Sequence, residues 1–162
     1  MDYSPGLRGV VAGETEISTV GMEGTSLRYR GYDAIELTKT QTYEDVASLI
    51  IDDNLDGKLF KETFTDHYEN LLKDEDLIRL IANLKVEQHP MDVMRTAISY
   101  IGQADEKNKL KAASKVTAIA CLVIASYNEE SSSQLDAEYT VASSLLPNTA
   151  SNQQHEALDD ML

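Results

Sequence analysis

The sequence predicts a mainly α protein: a short N-terminal β-hairpin followed by a helical bundle of about six to seven helices. Three observations carry this expectation. Strand-like alternation is confined to the first thirty residues, apolar residues recur with a helical period from Thr42 onward, and Ala112 to Tyr127 is apolar nearly all round. With 162 residues, Gly at 8 and Pro at 3, there is material for one compact domain and little for long linkers. Residues 1–162 are therefore read as a single domain, with 1–33 as a hairpin arm and 42–162 as the helical part.

In the arm, Thr15, Ile17 and Thr19 on one side and Thr25, Leu27 and Tyr29 on the other flank a turn from Gly21 to Gly24. The first helix starts at Thr42, which with Asp45 resembles a capping box built with a shorter acid; Tyr43, Val46, Ala47 and Ile50 form its apolar face. A second helix begins after Asp56-Gly57 and carries the stripe Phe60, Phe64, Tyr68, Leu71 and Leu72. Asp74 caps a third, with Leu77, Ile78, Leu80, Ile81 and Leu84. Pro90 suits the first turn of a fourth, because its missing N–H would be unpaired there anyway, and Met91, Met94, Ile98 and Ile101 form the expected buried stripe.

The apolar run Ala112 to Tyr127 is the expected core helix. A polar loop at Ser131-Ser132-Ser133, a helix from Ala137 to Leu146, a turn from Pro147 to Asn152 and a last helical segment from Gln153 to Leu162 complete the chain. Acids at a helix C-terminus oppose its partial negative charge at about 0.3 to 1 kcal/mol each, so Asp159 and Asp160 make an unfavourable ending.

Charge narrows the partners. With 14 Lys plus Arg against 28 Asp plus Glu, the net charge of -14 repels phosphate backbones and anionic lipid surfaces, so neither nucleic acid nor a membrane is expected. No apolar stretch reaches the ~20 residues of a spanning helix, and Met1 to Gly9 lacks a basic-then-apolar leader pattern. The single Cys121 sits among Ile119, Ala120, Leu122 and Val123, where a thiol acts as a small hydrophobe. A reducing, cytoplasmic setting is the expectation.

Residues able to do chemistry are few. His67, between Asp66 and Tyr68, reads as a surface residue, His89 as the residue that starts a helix before Pro90, and His155 as exposed beside Glu156. The neighbouring acids Asp52-Asp53 and Asp159-Asp160 do not face each other on a helix and read as solvated. No catalytic, cofactor-binding or metal-ligating residue is assigned, because neither a nucleophile with its base nor a spaced ligand set is evident.

Three blocks in order resemble the citrate synthase family, in particular its citrate and 2-methylcitrate synthases. Gly6-Leu7-Arg8-Gly9-Val10-Val11-Ala12-Gly13-Glu14-Thr15, continuing through Ile17-Ser18-Thr19-Val20 to Leu27-Arg28-Tyr29-Arg30-Gly31-Tyr32-Asp33, is similar to the family's opening hairpin. His89-Pro90-Met91-Asp92-Val93-Met94-Arg95-Thr96-Ala97 resembles its His-Pro-Met helix, and Lys115-Val116-Thr117-Ala118 the start of its next long helix. The likeness covers nearly the whole chain, fades after Asn128, and corresponds to an amino-terminal half.

The resemblance implies acyl-coenzyme A and oxaloacetate as the family's substrates, with one His and one Asp removing the acyl methyl proton, a second His assisting and Arg residues gripping oxaloacetate, nearly all of them expected beyond Leu162. It also implies a two-fold interface built on the His-Pro-Met region, which makes Met91, Met94, Ile98 and Ile101 the candidate interface residues. Two departures stand out: Leu135-Asp136-Ala137 replaces a Ser-His-Ala context that holds oxaloacetate, and Asn54-Leu55-Asp56 replaces a Gly-Leu-Pro turn. An acid at 136 would repel a dicarboxylate. Three readings follow: a non-catalytic subunit that forms a homodimer or a heteromer with a citrate synthase chain, an enzyme half that needs a second chain for the acyl transfer, or a truncated fragment without activity.

Overall fold

The arm forms as expected, with one more strand than the hairpin reading. In the computed structural model of the chain, which describes residues 9–11, 13–20, 27–102, 107–127, 140–145 and 152–162, β1 (Ser18–Thr19) pairs antiparallel with β2 (Arg28–Tyr29), and β2 with β3 (Tyr32–Asp33). The register places Ser18 opposite Tyr29 and Tyr29 opposite Tyr32. The connection between β2 and β3 is the dipeptide Arg30-Gly31, with φ of 48° and 87°. Positive φ at both central residues is the twist that a two-residue hairpin requires, and Gly31 supplies it without strain. The Gly21 to Gly24 turn lies outside the described residues.

A short helix that the periodicity does not reveal follows at once. In α1 (Ala34–Thr38), Asp33 caps the start by accepting from the Ile35 and Glu36 N–H groups. α2 (Tyr43–Asp52) begins as predicted: the Thr42 side chain accepts from Asp45 N, and the Asp45 side chain accepts from Thr42 N at 3.0 Å. Removing the hydroxyl in Thr42→Ala is expected to lower stability by about 1 kcal/mol, read as a small drop in the urea midpoint at constant slope.

α3 (Lys58–Leu72) starts at Gly57 and buries Phe60, Phe64, Tyr68 and Leu71, with Leu72 half-buried, as its stripe predicts. α4 (Glu75–Leu84) is capped by Asp74, whose side chain accepts from Leu77 N at 2.9 Å. Only Leu77 and Ile81 of its apolar residues are fully buried. α5 (Pro90–Ile101) has proline in its first turn and the His89 side chain as its cap.

α6 (Lys109–Tyr127) is the centre of the molecule, packed chiefly against α3 and α5. It starts three residues before the expected Ala112, because Asn108 Oδ1 accepts from Lys111 N and caps the first turn. By length and composition α6 is apolar enough to cross a membrane, contrary to the expectation that no stretch reaches that limit; here Leu110, Ala118, Ile119, Leu122 and Val123 are core residues. A polar strand of contacts runs through the α3–α6 interface: Ser114 Oγ donates to Thr63 Oγ1 at 2.9 Å, and Thr63 donates to Leu59 O. Two lysines serve carbonyl ends of helices, Lys115 reaching Gly102 O after α5 and Lys85 reaching Ser126 O in the last turn of α6.

α7 (Val141–Leu145) and α8 (Asn152–Asp159) complete the described elements, which number eight helices and a three-stranded sheet. The predicted Ala137 to Leu146 helix is thus seen from Val141 to Leu145; the Ser131-Ser132-Ser133 loop and the Pro147 turn up to residue 151 lie outside the described residues.

Candidate functional site

The four candidate interface residues do not form the buried stripe that their spacing suggested. On α5 the fully buried positions are Val93 and Ala97. Met94, Ile98 and Ile101 are half-buried against the core, and Met91 is 60% exposed. The stripe therefore runs along the edge of the packed face. Val93 and Ala97 occupy the inward side of α5, and the longer Met94, Ile98 and Ile101 side chains flank them at its edge. An apolar margin remains open to solvent at the start of this helix.

His89 stands where the sequence placed it: its Nδ1 accepts from Met91 N at 3.2 Å, and the ring is exposed. His67 is half-buried on α3, less exposed than a surface position was expected to be. The side chain of His155 and residue Asp136 lie outside the described residues. Among the described residues, no group of three or more His, Cys, Asp and Glu side chains could hold a metal ion.

The polar constellation that does form is one that apolar periodicity cannot see. Glu44, Ser48 and Leu49 are the buried positions of α2, whereas the predicted face, Tyr43, Val46, Ala47 and Ile50, lines a groove, with Tyr43 and Ala47 also packed against the core. α2 has neighbours on two sides, α3 and α6 on one and the hairpin arm on the other, so two faces are engaged. Arg30 of the arm donates through a guanidinium nitrogen to Ile50 O at 3.1 Å, and its Nε is buried with no hydrogen-bond partner among the described residues. The groove, of about 470 Å³, lies between Leu27 and Tyr29 of the arm, Leu37, Val46 and Ile50, and Met161.

Glu44 is 2% exposed and accepts from Val141 N at 2.8 Å, joining α2 to α7. Burial pushes its carboxyl above the usual carboxylate range. Asp159 also departs from its expected solvated position. It is only partly solvated, and its Oδ1 accepts from Tyr43 N at 3.2 Å across the start of α2. The positive end of α2 thereby offsets the unfavourable position of Asp159 at the end of α8. Asp52 and Asp53 are exposed as expected. Cys121 behaves as the small hydrophobe anticipated: it is buried, and desolvation raises its thiol to about 11, well away from a reactive thiolate. Nothing in the sequence marks Glu44, since an acid in a first helical turn is ordinarily a surface complement to the helix dipole.

A family model described as "Citrate synthase, C-terminal domain" matches residues 6–162. The chain is 38% identical to the 2-methylcitrate synthase of Shewanella oneidensis over 116 residues, covering 68% of this chain and 30% of that protein. It is 35% identical to the citrate/2-methylcitrate synthase of Bacillus subtilis over 138 residues, covering 77% of this chain and 36% of the relative. With 2-methylcitrate synthase 2 of Corynebacterium glutamicum it shares 40% over 109 residues, 65% of this chain and 28% of that protein. The chain belongs to the citrate synthase family. It spans about a third of the length of these curated relatives.

Proposed function

We propose that this chain is a citrate synthase-type partner subunit: the amino-terminal helical part of the family, pairing with itself or with a longer synthase chain and not carrying the condensation chemistry alone. The observation behind this reading is the open apolar margin of α5, where Met91 is 60% exposed beside half-buried Met94 and Ile98. A helix that has already buried Val93 and Ala97 inward gains from covering that margin with a second chain. The net charge of -14 favours a protein partner over nucleic acid or an anionic membrane, and the buried, unreactive Cys121 suits a cytoplasmic setting.

Light scattering after size exclusion, on the chain alone and mixed with the full-length citrate or 2-methylcitrate synthase of its source, tests the proposal. A homodimer or a defined heteromer is expected, weakened by Met91→Glu, which puts a charge on the margin without touching the buried side of α5. A monomer in both samples overturns it.

The second reading, an enzyme half, is favoured by the names of the relatives, which are citrate and 2-methylcitrate synthases. Its signature is coenzyme A release from an acyl-coenzyme A and oxaloacetate when a carboxyl-terminal half of a synthase is added. The partner-subunit reading predicts no release from that mixture.

A further inference from the structure

The first turn of α2 is gripped from two sides by carboxylates. It lends the Glu44 side chain to Val141 N, the first residue of α7, at 2.8 Å, and it lends Tyr43 N to the Asp159 carboxylate, the last residue of α8, at 3.2 Å. Among the described residues, neither carboxylate takes part in an ion pair; the pairs that do form join surface residues within α1, α3, α4 and α5 or their flanks. A carboxylate taken wholly or partly out of water that bonds to neutral N–H groups, with no cation in ion-pair contact, is held at a desolvation cost that more distant charge offsets only in part.

We propose that α7, α8 and the first turn of α2 form an acid-tightened latch, in which protonating Glu44 and Asp159 strengthens the docking of the two C-terminal helices and ionising them loosens it. The groups that face these acids from each neighbouring element set the sign. Toward Glu44, Lys61 of α3 favours the ionised form, whereas Asp159 of α8 opposes it; Cys121 of α6 and the Tyr43 hydroxyl of α2 are neutral near pH 7. Toward Asp159, the opposing charges are Asp160 and Asp45, and Tyr43 N supports the charge. Desolvation is the largest influence on both, and both carboxyls titrate above their usual range.

A folded-state value above the unfolded one means that the docked form binds protons more readily. Docking is therefore strongest below the unfolded carboxyl range and weakens as pH rises through the raised values. A protonated carboxyl keeps a carbonyl oxygen able to accept the same N–H, so the bonds to Val141 and Tyr43 survive while the desolvation cost is removed. Glu44, the more deeply buried of the two, carries the larger part.

Hydrogen exchange tests the latch. Protection factors, corrected for the intrinsic rate, are followed for amides of α7 and α8 relative to those of α3 from about pH 3.5 to about pH 8, a span that starts below the ordinary carboxyl range. The ratio is expected to fall severalfold as pH rises through the carboxyl range. Glu44→Gln, which keeps an accepting oxygen without the charge, is expected to hold the α7 ratio near its acid value throughout, and Asp159→Asn to flatten α8. A wild-type ratio that stays constant or rises with pH overturns the proposal. So does a Glu44→Gln variant that retains the wild-type slope. Should the variants fail to fold, the direction of the wild-type ratio decides alone.

Discussion

Phe64→Ala is expected to be the most damaging single truncation in the described core, lowering stability by about 3 to 5 kcal/mol. Phe64 is 0% exposed, and its ring stacks on Tyr68 one turn later, with centroids 5.7 Å apart and planes inclined by 19°. It sits on α3, whose largest interface is with the central helix α6. Truncation leaves a cavity between two rigid helices that cannot close without moving Phe60 or Tyr68, so both the lost transfer energy and the cavity count. In a chain of this size that corresponds to a fall in melting temperature on the order of 10 °C. Phe64→Leu, which retains most of the volume, is expected to cost less than half as much. Equal losses for the two variants would mean that the stacked ring, and not the filled space, is what stabilises the site.

Gly57→Ala carries the second large effect, and for a reason unrelated to backbone freedom. Gly57 has φ of -76°, open to any residue. Its difficulty is space: a Cβ there would lie 2.5 Å from Asp45 N and from the Glu44 carbonyl carbon, and 2.8 Å from Asp45 Oδ1. These are backbone atoms and a carboxylate already committed, since Asp45 Oδ1 accepts from Gly57 N at 2.8 Å while Oδ2 serves Thr42. One acid therefore holds both the start of α2 and the start of α3, and a methyl group breaks into that corner. Overpacking of this kind together with a lost hydrogen bond amounts to about 3 kcal/mol. The control is Gly13→Ala, where an added Cβ meets nothing within 4 Å and a change within about 0.5 kcal/mol is expected. Denaturant midpoints of the two variants side by side check the point; similar small losses would show that the α2–α3 corner relaxes freely.

The element plan was legible because it rests on local chemistry. Thr42 with Asp45, Asp74, and His89 before Pro90 each place a helix start by satisfying N–H groups within their own turn, and such caps need no tertiary information. The regular stripe of α3 and the all-round apolar α6 likewise declare a core helix and its neighbour. The opening block and the His-Pro-Met helix carried the family resemblance, which the family match over residues 6–162 bears out. Short elements escaped: α1 and β3 are five and two residues long, too brief for any period to accumulate.

By itself the sequence determined the class of fold, the order of its longer helices, the N-terminal caps of α2, α4 and α5, and the family. Which side of a helix meets which neighbour was decided only in three dimensions. Amphipathic periodicity marks an apolar face but not what covers it, so Val46 and Ile50 line a groove, Met91 stays open, and Val93 and Ala97 are the buried positions of α5. The burial of Glu44 and the bond from Tyr43 N to Asp159 join residues 97 and 116 positions apart. Such pairings arise from the way α7 and α8 return to α2, and no local pattern of residue types encodes them.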